Sequence, residues 1–296
     1  MSARRTPRLA VNPIAYWMRD GRIDRSPAVL EEAFAHFEQL GFTAVKADVP
    51  PQMSVDAYLA WIGGFGLAPS VSLFSSALDE TVDMPAELER AKAFAAQQAA
   101  LGLDRAMVSS MMIPARMAAP GIGADFDEGR LRMCIDHLGL VCEAFRSEGV
   151  HAVLHNHIGG VFEMRDEIDR ALSSIDAGLL GFGPDTGHLM WAGADPASAI
   201  RDHRDRVGAI HIKDAFADYL DPANRVGMSY GATQATKRLW AEPGDGVADF
   251  DAVLAAMPDD YDGDYMIEVD EPSIDDRFES TRRSYDWARR SLSFLA

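Results

Sequence analysis

The sequence predicts an α/β protein, a single (β/α)8 barrel over residues 1–296. Three observations carry that expectation. Short apolar runs alternate with longer amphipathic segments along the whole chain, no glycine-rich dinucleotide loop interrupts them, and the later runs end in side chains that bind metals or move protons. Alternating β- and α-type segments imply a parallel sheet. Eight such units in 296 residues suit a closed barrel, whose usual length is about 250 residues. A doubly wound open sheet is the competing arrangement, and the missing dinucleotide loop disfavours it.

The elements follow in order. Leu9–Pro13 reads as the first strand, followed by a polar loop and a helix near Ala28–Leu40 that Gly41 ends. Thr43–Ala47 is the second strand and Val55–Ile62 the second helix. A third strand, Ala68–Leu73, precedes an alanine-rich helix from Pro85 to Leu101. Ala106–Ser109 is the fourth strand, and the helix Asp127–Glu148 follows a loop rich in proline and glycine. His151–His155 is the fifth strand, with a helix near Arg165–Ser173. Gly181–Pro184 leads into Asp185 as the sixth strand, and Asp195-Pro196 opens the next helix with a cap and a proline. Val207–Ile212 and Tyr265–Glu268 are the seventh and eighth strands, and Asp276–Ser293 is the closing helix.

Between strands seven and eight the rhythm breaks. Residues 215–248 contain no strong strand, and a connection this long within a compact domain is usually functional. A lid over the strand ends is one expectation; a subunit contact or a small helical insertion is the other.

Composition excludes more than it names. With 28 Lys+Arg against 46 Asp+Glu the formal charge is −18, which opposes nucleic acid or an anionic membrane as partner. The basic start Met1–Arg8 is not followed by the long apolar stretch of a signal peptide, and no apolar run approaches the ~18 residues of a membrane span. Cys134 and Cys142 sit eight residues apart in one predicted helix, about 12 Å at 1.5 Å per residue, too far for a disulfide. Two reduced cysteines fit the cytoplasm.

The chemistry gathers at strand ends. His155, Asn156 and His157 follow strand five; Asp185 and His188 follow six; His211, Lys213 and Asp214 close seven; Glu268 and Asp270 close eight. Residues two apart on a strand face the same way, so His155 and His157 can share the barrel mouth, as can His211 and Lys213. Two imidazoles and two carboxylates on neighbouring strands suit a divalent cation, Mn²⁺ first, with Co²⁺, Fe²⁺ or Zn²⁺ also acceptable. Each residue has a plainer reading: a strand histidine is often only hydrogen bonded in the core, and Asp-Thr-Gly-His can be a turn and helix cap. Their joint position at the C-terminal ends of strands argues for function. Glu268 is the sharpest case, because a carboxylate inside Tyr-Met-Ile-Glu-Val is costly to bury without a partner.

These residues, with Asn12–Trp17, Leu154–Gly159, Pro184–Leu189, His211–Asp214, Glu242–Gly246 and Met266–Asp270, resemble the xylose-isomerase-like TIM-barrel superfamily of sugar isomerases, epimerases and dehydratases. Within it the chain looks most like the inosose dehydratase group. The resemblance implies metal ligation by Asp185, His211 and Glu268. In many relatives a glutamate ending strand five is the fourth ligand; here His155 holds that place, with Glu163 as the fallback. At strand two the dehydratase-like glutamate is replaced by Lys46 and Asp48.

The shared step implied is removal of a proton from a carbon beside a carbonyl. Glu268 or His157 is the expected base, and Lys213 or His188 the group that protonates the leaving hydroxyl or steadies the enolate. Trp17, Lys46, Asp48, Asn156 and Asp214 are expected to face the substrate. Tyr16, Phe74, Trp191 and Trp240 could stack on a ring or be ordinary packing. The expectation is a metal-dependent lyase or isomerase acting on a keto-cyclitol or keto-sugar, as a homodimer or homotetramer. The alternatives are a sugar-binding barrel or partner subunit without catalysis, and an abasic-site endonuclease-like protein. The last would need a basic surface and more ligands than −18 net charge and 8 histidines offer.

Overall fold

Eight short parallel strands follow one another around a closed wall in the computed structural model, which describes residues 5–19 and 21–295. Met1–Arg4 of the basic start therefore lie outside the described residues. The strands are β1 (Leu9–Val11), β2 (Ala44–Lys46), β3 (Ala68–Ser70, resumed at Leu73–Ser76), β4 (Arg105–Ser110), β5 (His151–Leu154), β6 (Leu180–Phe182), β7 (Ile210–Ile212) and β8 (Tyr265–Ile267). Ala10 lies opposite Ala44 on β2 and opposite Met266 on β8, which joins the first strand to both its neighbours.

The wall is two sheets rather than one ladder: β7-β8-β1-β2 with the first half of β3, and the second half of β3 with β4-β5-β6. The expected third strand, Ala68–Leu73, is thus broken. Ala68–Ser70 pairs with β2, Leu73–Ser76 pairs with β4, and Val71–Ser72 carry the chain from one neighbour to the other. The opposite seam, between β6 and β7, is crossed by the bridges Phe182–Val207 and Asp185–His211. There Thr186 acts as a staple: its hydroxyl donates to the Lys213 carbonyl at 2.6 Å and accepts the Lys213 amide at 2.9 Å.

Period-two alternation sorts the strand side chains. Ala10, Ala44, Met107, Val153, Ala209 and Met266 fill the barrel interior, while their neighbours Leu9 and Val11 turn outward into the helical layer. That layer consists of α1 (Pro27–Leu40), α2 (Val55–Gly63), α3 (Met84–Ala100), α4 (Glu128–Ser147), α5 (Arg165–Ser174), α6 (Pro196–Asp202), α7 (Phe250–Ala256) and α8 (Arg277–Ser291). Side chains of Ser54, Asp83, Asp127, Asp195, Asp249 and Asp276 accept amides of the first turns, so each of these helices starts where its cap allows. Both cysteines are free and buried along α4. Among the described residues no helix is long and apolar enough to cross a membrane.

The connection after β7 carries more structure than its sequence announces. Asp214–Ala215 pairs antiparallel with Trp240–Ala241, and short helices form at Ala217–Leu220 and Tyr230–Gln234 between them. Asp214 holds the base of this hairpin: its carboxylate accepts the amides of Ala215, Gly244, Gly246 and Ala248 at 2.8 to 3.0 Å. Gly246 must be glycine here, because a Cβ would lie 2.3 Å from Asp214 Oδ1. Arg225 anchors the far end, donating to the carbonyls of Pro120, Gly121 and Trp191.

Candidate active site

Four strand ends bring the reactive groups to the C-terminal mouth of the barrel. One ligand atom each from His155, Asp185 and His211 lies within 4.8 Å of the others, and all three residues are buried. The His155 and His211 rings are 4.7 Å apart. His211 Nδ1 is 3.6 Å from Asp185 Oδ2 and 3.1 Å from Glu268 Oε2, ion-pair contacts without hydrogen-bond geometry.

The unsatisfied atoms are the telling feature. His155 Nδ1, Asp185 Oδ2 and both ring nitrogens of His211 are buried with no hydrogen-bond partner. Leaving such atoms unmet costs about 1–3 kcal/mol each, so a native fold that gathers four of them in one place has a use for their lone pairs. Two imidazoles and a carboxylate match the donor preferences of Zn²⁺, Co²⁺, Fe²⁺ and Mn²⁺. The residues present fit a divalent cation.

Charge is arranged around them. Burial would raise the carboxyl of Asp185, but Lys213 and His188 hold it below its ordinary range. Glu268 is likewise held well below, its burial outweighed by His211 and Lys213. Burial would lower His211, yet Glu268 and Asp185 raise it to about 9. His155 falls to about 3 through burial and the neighbouring His211. Burial, with Lys213 beside one and His157 beside the other, also lowers His157 and His188, so these rings are neutral. Lys213 stays charged despite burial because Asp185, Asp270 and Glu268 surround it.

Lys213 sits at the centre of this group. Its Nζ donates to Glu268 Oε1 at 2.6 Å and Asp270 Oδ1 at 2.9 Å, lies 3.3 Å from His188 Nε2, and faces the Trp240 ring at 4.9 Å. Asn12 Nδ2 donates to Glu268 Oε2. Asp270 stands beside Glu268 as the strand-end pattern sets it, whereas Asn12 was not singled out as a site residue although it follows an apolar strand run as the others do. Gln234, from the connection after β7, reaches Asp270 Oδ2 at 3.4 Å.

Other expected residues have different work. Asn156 clasps the main chain of Asp185, accepting its amide at 2.9 Å and donating to its carbonyl at 3.2 Å, so it positions the strand end that carries Asp185 rather than facing open space. Asp214 is consumed by the hairpin amides. Glu163 accepts the amides of Gly159, Gly121 and Gly123 at 2.8, 3.3 and 3.0 Å, which commits its carboxylate to loop backbone away from the His155, Asp185 and His211 group. His157 stacks at 4.0 Å on His188. Trp191, Trp240 and Tyr230 form an aromatic wall at the mouth, with Trp191 5.4 Å from Trp240 and 5.1 Å from Tyr230. Phe74 instead packs between barrel and helices, and Tyr16 bonds to His36.

Lys46 and Asp48 form a tight pair at 2.6 and 2.7 Å, reinforced by Ser72. With Trp17 and Arg25 they line a cavity of about 140 Å³ over the ends of β1 and β2. Pro13, which follows Asn12 in the chain, borders the same cavity.

A closed βα barrel with metal-ligand and acid–base groups gathered at its strand C-termini has the build of a barrel enzyme's active end. The sequence profile of the xylose isomerase-like TIM barrel family matches residues 34–291, and the chain belongs to that family. Similar curated proteins are the inosose dehydratases of Clostridium beijerinckii (27% identical, 57% of each chain) and Geobacillus thermodenitrificans (29% identical, 56% of each chain). Inosose dehydratase 2 of Bacillus cereus is 30% identical over 49% of this chain and 48% of its own. The chain spans about half the length of these relatives in the match. In fold it is similar to the probable 3-DHS dehydratase AsbF of Bacillus anthracis (TM-score 0.70, 13% identity, 94% of this chain and 97% of that one). It is also similar to D-allulose 3-epimerase of Methylomonas sp. (TM-score 0.68, 15% identity, 99% and 100%) and to the IOLI protein with a bound zinc atom (TM-score 0.69, 12% identity, 98% and 99%).

Proposed function

We propose that this protein is a divalent-metal-dependent lyase or isomerase that removes a proton beside the carbonyl of a keto-cyclitol or keto-sugar. The observation that carries the reading is the set of four orphaned buried atoms on His155, Asp185 and His211, at the mouth of a family barrel and in contact with an ionised glutamate. His155, Asp185 and His211 would hold the cation, of the Mn²⁺, Co²⁺, Fe²⁺ or Zn²⁺ kind. When bound, it would polarise the substrate carbonyl and steady the developing oxyanion.

The protein's own groups supply the proton chemistry. Glu268, ionised and facing the mouth, takes the proton from the carbon beside the carbonyl, and the C–H electron pair moves into the new carbon–carbon double bond of the enolate. If a hydroxyl stands beta to the carbonyl, that pair expels it; the charged Lys213 protonates the departing hydroxide to water and recovers a proton from Glu268, to which it is bonded, so that Glu268 is ionised again. If the proton returns to the other face or to the neighbouring carbon, the same groups epimerise or isomerise. The charged Lys213 keeps Glu268 ionised between turnovers. The aromatic wall of Trp191, Trp240 and Tyr230 excludes water, which strengthens these charges. The dehydratase names among the sequence relatives support water loss from an inosose as the first reaction to assay.

The test is direct. Purified protein, stripped and then reloaded in turn with Mn²⁺, Co²⁺, Fe²⁺ or Zn²⁺, is incubated with a keto-inositol and with keto-hexoses, and products are followed by ultraviolet absorbance and NMR. Turnover that tracks metal occupancy is expected. A protein that takes up none of these ions and gains no heat stability from them is no metal enzyme, and a sugar-binding role then stands in its place.

A further inference from the structure

Three charged side chains, Arg25, Lys46 and Asp48, border the cavity of about 140 Å³ whose walls are otherwise mainly apolar, Trp17, Phe34 and Tyr58 among them. Met266, Ala10 and Ala44 fill the barrel interior, so two residues further on Glu268, Asn12 and Lys46 keep to the same inner face of β8, β1 and β2. Ala10 lies level with both Met266 and Ala44. At about 4.8 Å per strand, Lys46 therefore stands roughly 10 Å from Glu268, across β1. A sugar-sized molecule with its reacting carbon at Glu268 carries its far end into this cavity. Burial would raise the Asp48 carboxyl, but Lys46 holds it below its ordinary range, so the cavity counts two cations and one anion. Lys46 Nζ meets the two Asp48 oxygens at 2.7 and 2.6 Å, and an ammonium has three protons. Arg25 lays its guanidinium 4.1 Å over the Trp17 ring. Stacking occupies the face of a guanidinium and leaves its N–H fork for an acceptor. Among the described residues no hydrogen bond or ion pair engages that fork.

We propose that Arg25 and Lys46 form a subsite for a carboxylate at the end of the substrate away from its reacting carbonyl, so that the substrate is a keto-sugar acid. This rests on the keto-sugar or keto-cyclitol reading above and narrows it. One surplus positive charge calls for a monoanion, whereas a phosphate dianion would turn the surplus into a deficit. An anion that enters a largely apolar cavity leaves water behind and must find its donors there. Lys46 supplies its remaining proton and Arg25 two parallel N–H groups, the fork that suits a carboxylate. Asp48, which also accepts from Ser72 at 2.6 Å, fixes the ammonium in place. A neutral hydroxyl in the same position meets these donors without charge, and that difference sets the preference for the acid.

Fructose, fructuronate and fructose 6-phosphate present one keto-sugar with a hydroxyl, a carboxylate or a phosphate ester at carbon six. Their dissociation constants are measured by calorimetry on the stripped and the metal-loaded protein, so no turnover is needed. Fructuronate should bind about 10–100-fold tighter than fructose, the size of a charge-assisted hydrogen bond, with fructose 6-phosphate weaker than fructuronate. Added salt should shrink the gap by screening the charges. Arg25→Gln and Lys46→Gln should each narrow it, and the double variant should erase it. Equal affinity for fructuronate and fructose, no measurable binding of fructuronate, tighter binding of the phosphate, or a gap that survives the double variant overturns the proposal. Metal uptake is read separately on the same samples. A protein that takes up no divalent ion yet keeps the gap loses the metal-dependent reading and not the subsite, and one that takes up metal without the gap loses only the subsite. Should Lys46→Gln not fold, Arg25→Gln, at an exposed side chain, decides alone: a gap it leaves unchanged overturns the proposal.

Discussion

The two ends of β8 carry acidic residues in opposite circumstances. At its start Asp264 has every oxygen bonded: Arg8 donates to Oδ1 at 3.0 Å and Oδ2 at 2.7 Å, Arg5 to Oδ1 at 2.5 Å and Ser70 to Oδ2 at 2.7 Å. This carboxylate ties β8, β1 and β3 together at the closed end of the barrel. At the other end Glu268 stands among buried atoms with no hydrogen-bond partner, on His155, Asp185 and His211. Full satisfaction serves stability, and a nest of unsatisfied groups serves binding. One strand of three residues separates the two.

The comparison is broken most severely by exchanging the outcomes. His211→Ala and Glu268→Gln are each expected to lower turnover by about 10²–10⁴-fold, the range of a lost acid–base or charge-stabilising group, while circular dichroism stays native. Asp264→Ala is expected to do the reverse: about 3 kcal/mol of stability lost in urea denaturation, because two guanidinium groups and a hydroxyl lose their acceptor, with turnover per folded molecule unchanged. A His211→Ala protein less stable than Asp264→Ala would dissolve the contrast. Arg225→Ala should come next, raising KM several-fold with a smaller change in kcat, since it loosens the segment bearing Tyr230 and Gln234 without touching the reacting groups.

The smallest effect is a pH dependence. Burial would raise the Asp264 carboxyl, but Arg8 and Arg5 hold it below the ordinary value. A carboxyl lowered by folding contributes stability above its unfolded value, about 3.9, and loses it as pH falls through the folded value. The stability gap between wild type and Asp264→Asn should therefore be full at pH 6 and close progressively below about pH 4. A gap that is constant from pH 6 to pH 3 would show that the pair does not titrate with folding.

Much of the fold was legible because each level of the sequence agreed with the next. Apolar runs marked the strands, and aspartate or serine caps marked the helix starts within a residue or two. The break in β3 was hidden, because Ala68–Leu73 alternates apolar residues with Ser70 and Ser72 as a single strand would, and only closure of the wall decides which neighbour each half takes. At the mouth the strand-end rule found His155, Asp185, His211, Lys213 and Glu268. The same rule found Asp270 two residues beyond Glu268, and applied evenly it also finds Asn12 after Leu9–Val11. What it cannot do is separate an acid that faces a ligand from one that faces backbone amides. Glu163 and Asp214 look like ligands in sequence because the amides that claim them belong to residues up to 42 positions away, at Gly121 and Gly123 or at Gly244 and Gly246.

The division of the wall into two sheets has a mechanical consequence. His155 and Asp185 end strands of the four-stranded sheet, and His211 and Glu268 belong to the five-stranded one, so the centre straddles the β6–β7 seam. A cation gripped by His155, Asp185 and His211 would act as a clasp between the two halves of the barrel. Loading it should slow hydrogen exchange at the Gly183, Asp185, His211 and Lys213 amides along that seam, and leave the amides at the break in β3, on the far side of the wall, as they were.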